Sequence, residues 1–356
     1  MDDEKFERMR AEYNSHMIRK FGFIFLCVAF MIVMIAVAVN IGGYDISFAE
    51  VYRTIIDHIL GIEPEKYSKE WYDYQIVWNN RLPRIVFAIL SGVGLAVAGA
   101  SMQSVMKNPL AEPYTTGVSA GACFGVAISM VLGVSLVPSL NIGVEAFIMA
   151  LIPVTVIIII SPKLNNSVAT IILIGTALTY MFNAFSTFLL VTTDSETLAA
   201  IYKWQVGSFT NISWDQIAVI AFFVISGTII IELLSHKLNI MTLGDNAAQS
   251  LGINVRRIRI LCLLVMAVMV ACIVSYAGII GFVGLICPHI IRLIIGSDNR
   301  FLIPAASAFG AAFLLFADSC AKWLSSLDMV PVGAICGLIG APLFLFILIH
   351  NRRNIW

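Results

Sequence analysis

Apolar runs of 17–23 residues recur along the whole chain, separated by shorter polar connections. They cover approximately 21–39, 85–105, 116–132, 144–160, 169–191, 217–234, 258–276, 279–295, 301–320 and 333–350. A helix that crosses the hydrocarbon core needs about 20 mainly apolar residues, because lipid offers its backbone no hydrogen-bond partners. The pattern therefore predicts an all-α, polytopic membrane protein of about ten transmembrane helices. The seventh and eighth runs are parted only by Ala277-Gly278, where the count is most easily misread. Residues 1–20 are polar and charged, and predict an N-terminal tail. The apolar run behind them is longer than that of a signal peptide and is read as a retained first span.

Two segments break the apolar pattern with proline. Asn108-Pro109-Leu110-Ala111-Glu112-Pro113 lies between the second and third runs, and Gly281–His289, with Pro288 and then Arg292, lies within the eighth. Proline removes an amide donor and biases its predecessor away from the helix, so Pro109 and Pro113 stop one helix and aim the next. Non-helical backbone at membrane depth must be buried in protein or line a water-filled path. Asn108 and Glu112 are expected to cap the bent turn. His289 and Arg292 are expected to satisfy carbonyls that Pro288 frees, a reading preferred over a proton relay. Glycines at 117/121 and 333/337 have the four-residue spacing that lets helix backbones approach closely.

Composition agrees: 59% hydrophobic and 12% charged residues, where a soluble domain has roughly 25% charged. The formal net charge of zero leaves no basic stripe for nucleic acid. The seven cysteines sit in or beside apolar runs without a Cys-x-x-Cys pair, so they read as small hydrophobes and not as metal ligands. The five histidines are scattered, and neither a metal site nor a catalytic constellation is expected. No Gly-x-x-x-x-Gly-Lys-Ser/Thr loop is present, so the chain does not itself bind ATP in that way. Glu145, Glu232 and Asp318 fall towards span ends, where water or headgroups would reach them, which argues against an ion-coupled transporter.

Lys and Arg set the orientation. With the N-terminus inside, 15 of the 22 cations fall on inner segments, including Lys107, Arg256, Arg257, Arg259, Arg352 and Arg353. Both termini are thus expected to be cytoplasmic, with an outer loop at 41–80 holding an acidic, aromatic patch at 63–74. The inner segment 235–256 contains Gly244-Asp245-Asn246-Ala247-Ala248, then Leu251-Gly252-Ile253. It reads as a short helix capped near Asp245 or Asn246 and stopped by Gly252. Arg256, Arg257 and Arg259 close it and read as headgroup anchors.

Several long motifs in register then carry a family resemblance. Arg81-Leu82-Pro83-Arg84, Gly92–Gln103, Asn108–Pro113 and Gly117–Ala122 resemble the FecCD permeases of iron-siderophore, haem and cobalamin ABC importers. So do Gly278–Arg292, Asp298-Asn299-Arg300, Ala317-Asp318, Pro331-Val332-Gly333 and Gly340-Ala341-Pro342. The resemblance runs from about Tyr44 to the C-terminus and implies the type II ABC importer permease fold. It implies a homodimer around a central path and two ATPase subunits inside, which hold ATP and Mg. It also implies an extracytoplasmic binding protein outside, with an iron chelate as cargo, or alternatively cobalamin, haem or an oxyanion. Arg81 and Arg84 look like residues that dock the binding protein, and Gly244–Ile253 looks like the element that couples to the ATPase, with Leu251 and Ile253 as apolar anchors. Two departures stand out: Lys322 replaces a third docking arginine, and Met329-Val330 replace Glu-Leu before Pro331.

Overall fold

The computed structural model describes residues 3–133, 142–164, 167–210, 212–324 and 330–350, and among them every regular element is helical. The chain rises along α1 (Asp3–Asn40), crosses two short helices, α2 (Phe48–Ile59) and α3 (Lys69–Ile76), and returns along α4 (Leu82–Met106). After a 3-10 turn at Pro113–Thr116 come α5 (Val118–Leu132), α6 (Ile142–Ile160) and α7 (Val168–Val191). The short α8 (Ser195–Gln205) precedes α9 (Trp214–Leu233), and α10 (Ser235–Thr242) and α11 (Asp245–Ser250) precede α12 (Val255–Ala277). Then follow α13 (Val283–Ile295), α14 (Asn299–Leu324) and α15 (Val332–His350).

Eight helical stretches are long and apolar enough to cross a membrane, and α5 and α13 are shorter apolar helices, which together make the ten expected. The two short ones are α5, which follows the turn with Pro109 and Pro113, and α13, which carries Pro288 within it. Connection 41–80 is more ordered than a loop. Ser47 and Glu50 form a reciprocal capping box at the start of α2, and the Ser68 hydroxyl accepts the Trp71 amide to cap α3.

α4 forms the centre and packs on α14, α13, α9 and α12. Its glycines permit this. A Cβ on Gly92 would lie 2.3 Å from the Gly310 carbonyl oxygen of α14, and one on Gly310 would lie 2.5 Å from the Gly92 oxygen. The two backbones therefore touch directly. The paired spacings behave unequally: Gly121 faces the Met149 carbonyl and Gly333 the Val206 carbonyl, whereas a Cβ on Gly337 would meet nothing within 4 Å.

Contacts sort the helix ends into two sets. The start of α4 meets the end of α14 where Arg84 reaches Asp318; the end of α4 meets α11 and the start of α12 where Lys107 reaches Asp245. These are called below the Arg84 end and the Asp245 end.

Candidate functional site

At the Arg84 end, a single π-helical turn at Val77–Arg81 delivers the chain into α4, with Pro83 in the first turn, where its missing amide costs nothing. That turn points Arg81 inwards. Its guanidinium donates to the carbonyls of Val39 (2.8 Å), Asn40 (3.4 Å) and Tyr44 (2.6 Å), and the residue is 5% exposed. Arg84 donates to Asp318 through Nε (2.9 Å) and Nη2 (2.7 Å), and Lys322 lies 3.2 Å from the same carboxylate. The side chains of Arg84, Lys322 and Asp318 are 11%, 9% and 0% exposed.

Two expectations are corrected here. Arg81, Arg84 and Lys322, expected to face a docking partner, are engaged within the chain: Arg84 and Lys322 converge on one buried carboxylate, and Arg81 holds the end of α1. Asp318 and Glu145, expected within reach of water, are 0% and 2% exposed. The cause is the close crossing of α4 and α14, which leaves no room for water beside Asp318. A buried carboxylate needs such partners, because an unpaired ion in a low dielectric is strongly disfavoured. The four-residue spacing of Asp318 and Lys322 was the one local signal of this cluster.

Between the ends, the two proline-marked segments meet. The Tyr114 hydroxyl donates to the Ile280 carbonyl at 3.1 Å, and Pro113 packs against Gly284. Asn108 caps the turn as expected, its Oδ1 accepting the Leu110 amide at 2.9 Å. Pro109 lies in this turn, and Gly117 closes it with φ +88°, a left-handed conformation that favours glycine. The Glu112 side chain makes no cap hydrogen bond, so its expected role is corrected. A second correction concerns Pro288, inside α13. The carbonyl its ring leaves without an amide is that of Gly284, four residues earlier. It points at Gly99 of α4, where a Cβ would sit only 1.8 Å from the oxygen. His289 and Arg292 do not serve it. The His289 ring packs edge-on against Phe344, and Arg292 reaches the Gln103 side chain at a long 3.4 Å. Gln103 in turn donates to the Leu285 carbonyl.

At the Asp245 end, α11 starts from Gly244, which makes no side-chain cap; Asp245 and Asn246 are therefore not caps, contrary to expectation. Asp245 instead receives Lys107 Nζ at 2.5 Å and Arg259 Nη2 at 3.0 Å. Burial pushes its carboxyl up, yet these bonds outweigh it and hold the group below the ordinary carboxylate range. Arg259 is 1% exposed, so it is no headgroup anchor; Arg256 and Arg257 are exposed. Ala248 is buried under Met241 and Val255 with Ile253 packed alongside, while Asn246, Ala247 and Gly252 face outwards. Leu251 (62% exposed) and Leu243 (68%) project from the surface. Beside them, Asn239 donates to Asp298 (2.6 Å) and accepts from Asn299, whose side chain also accepts from Ser104 of α4. Arg300 bonds hold the Asp298 carboxyl down to about 2. The Asp298-Asn299-Arg300 motif and the 235–256 segment were legible in the sequence, but neither this network nor Leu243 as a projecting side chain was singled out. Met329 falls outside the described residues, as do Arg352 and Arg353.

The sequence model of the FecCD transport family matches residues 30–350. The hemin transport system permease protein of Yersinia pestis is 32% identical over 92% of this chain and 97% of its own length. The molybdate import system permease protein of Haemophilus influenzae is 30% identical over 91% and 94%. Among solved structures, a metal-chelate type ABC transporter in an inward-facing conformation superposes with a TM-score of 0.80 at 28% identity, covering 92% of this chain and 98% of that one. The chain belongs to the FecCD transport family and is the membrane-spanning permease of an ABC importer, not an enzyme.

Proposed function

We propose that this permease imports a metal chelate, an iron-siderophore complex, across the cell membrane. The cargo reading is supported by the metal-chelate neighbour and the hemin-named relative. Both termini and the Asp245 end face the cytoplasm, as the excess of Lys and Arg on that side favours. Two copies enclose the path. Residues 21–356 form the permease domain behind the 1–20 tail, with 41–80 outside and 235–256 inside. Two partner ATPases carry ATP and Mg. The observation that carries the coupling role is the short α11 flanked by the exposed apolar side chains of Leu243 and Leu251, a shape suited to an apolar groove on a partner.

The binding protein docks at the Arg84 end. Because Arg84 and Lys322 already hold Asp318, docking through them requires the partner's carboxylates to compete with Asp318.

The test is reconstitution in liposomes with the partner ATPase and binding protein. Leu251→Glu is expected to weaken ATPase association and abolish uptake while the permease stays folded; normal uptake would remove this segment from coupling. Ferric siderophore is the expected cargo. Transport of molybdate instead would establish the second reading, which the molybdate-named relative favours. Binding-protein affinity independent of salt would overturn the ionic docking reading.

A further inference from the structure

Asp245 touches two transmembrane helices at once. Its carboxylate receives Lys107, the residue that ends α4, and Arg259, in the second turn of α12. Arg259 is 1% exposed and bonds both carboxylate oxygens at 3.0 Å, so Asp245 and α12 form one rigid unit. Lys107 differs. Its side chain is 28% exposed, and its backbone takes φ 51°, ψ 37°, a left-handed conformation that side-chain-bearing residues rarely adopt. Backbone strain of this kind persists only where surrounding contacts enforce it. The very next residues are Asn108-Pro109, the turn that leads through Tyr114 to Ile280 and thus to the segment before α13.

We infer that the Lys107–Asp245 ion pair is the link through which movement of α11 displaces α4 and the Asn108–Gly117 turn. This rests on the coupling role proposed for α11. The mechanical argument has three parts. α11 is only six residues long and cannot by itself reach the centre of the molecule. Gly92 and Gly99 lock α4 to α14 and α13 by backbone contact, so a pull on its end is transmitted along its length instead of being absorbed by side chains. The left-handed Lys107 is the hinge at which the rigid helix passes into the turn. Lys107 is a positioning residue in this scheme: its ammonium bonds Asp245, and it acts through that carboxylate.

The experiment uses the full complex of permease, ATPase and binding protein in liposomes. Lys107→Met is expected to lower uptake about tenfold, within the range by which residues linking two sites alter coupling, while ATP hydrolysis by the assembled complex stays within about twofold. Lys107→Arg, which keeps the charge, is expected to restore uptake. A spin label at Leu110, an exposed residue of the turn, supplies a readout that general destabilisation would not mimic. ATP binding should shift the label with Lys or Arg at 107 and not with Met. Unchanged uptake in Lys107→Met, or a label that still shifts, would overturn the link. So would a loss of uptake matched by an equal loss of assembly. If instead Leu251→Glu leaves assembly and uptake intact, the coupling role of α11 fails, whatever Lys107 does.

Discussion

Each end of α4 is held by one aspartate between two cations, and the two clusters differ in how much water they see. Asp318, Arg84 and Lys322 are 0%, 11% and 9% exposed; Asp245, Lys107 and Arg259 are 34%, 28% and 1% exposed. Chemistry of the same kind therefore does two jobs. A dry ion cluster has no water to take over when a bond stretches, so its members separate only at a large cost, and the Arg84 end is a weld. A half-wet carboxylate can exchange partners with solvent, and only its Arg259 side is sealed. The Asp245 end is a joint, sealed to α12 through Arg259 and tied to α4 through the more exposed Lys107 bond.

The strongest way to break this comparison is to remove each aspartate. Asp318→Asn leaves two cations facing a neutral amide in a dry site, and should destabilise the protein by about 3–5 kcal/mol. Thermal unfolding of purified protein in detergent would show it. Replacing Arg84, Asp318 and Lys322 together by apolar residues of similar volume should recover most of that loss, since the cluster is weak evidence of net stabilisation. A fall for Asp318→Asn no greater than for Asp245→Asn would erase the distinction between weld and joint. The next largest effect concerns the rod between the ends. Gly99→Ala drives a methyl into the Gly284 carbonyl oxygen and should cost about 1–3 kcal/mol through forced backbone movement. If α4 does transmit motion as a unit, uptake should fall further than stability alone would dictate, and the ratio of uptake to ATP hydrolysis measures this.

Much of this architecture was legible in the sequence because lipid enforces a simple rule. All ten apolar segments became helices, and the two short ones, α5 and α13, each follow a non-helical connection that takes up length otherwise available to helix. The contact between those turns through Tyr114 and Ile280 was not legible, because it joins backbone to a hydroxyl across 166 residues. Nor was the burial of Arg81 and Arg84. A basic residue at a span end reads the same whether it faces headgroups, a partner or an aspartate on another helix; here the Gly92–Gly310 crossing decides for Arg84, and a π turn decides for Arg81. Asp245 was misread for a related reason. Local spacing suits it to be a cap, and only the fold brings Lys107 from 138 residues away to claim its carboxylate.

The smallest expected effect sharpens the comparison from the wet side. Asp298 is 24% exposed, and its Arg300 partner is 49% exposed, so this pair resembles a surface ion pair and contributes about 0–1 kcal/mol. Its folded-state carboxyl is held down to about 2 by bonds from Arg300 first and Asn239 after it, below the ordinary value of about 3.9 for an unfolded aspartate. A depressed carboxyl stabilises the fold fully above the unfolded value, and the benefit is lost as pH falls through the folded one. The thermal-midpoint difference between the native chain and Asp298→Asn should therefore be small and flat from pH 6 to pH 8, and should shrink between about pH 4 and pH 2. A difference that stays flat down to about pH 2 would mean that Asn239, Asn299 and Ser104 hold α10 and α4 together by neutral hydrogen bonds alone. In that case the charge on Asp298 is incidental, and the Asp245 end relies for its ionic hold on Asp245 itself.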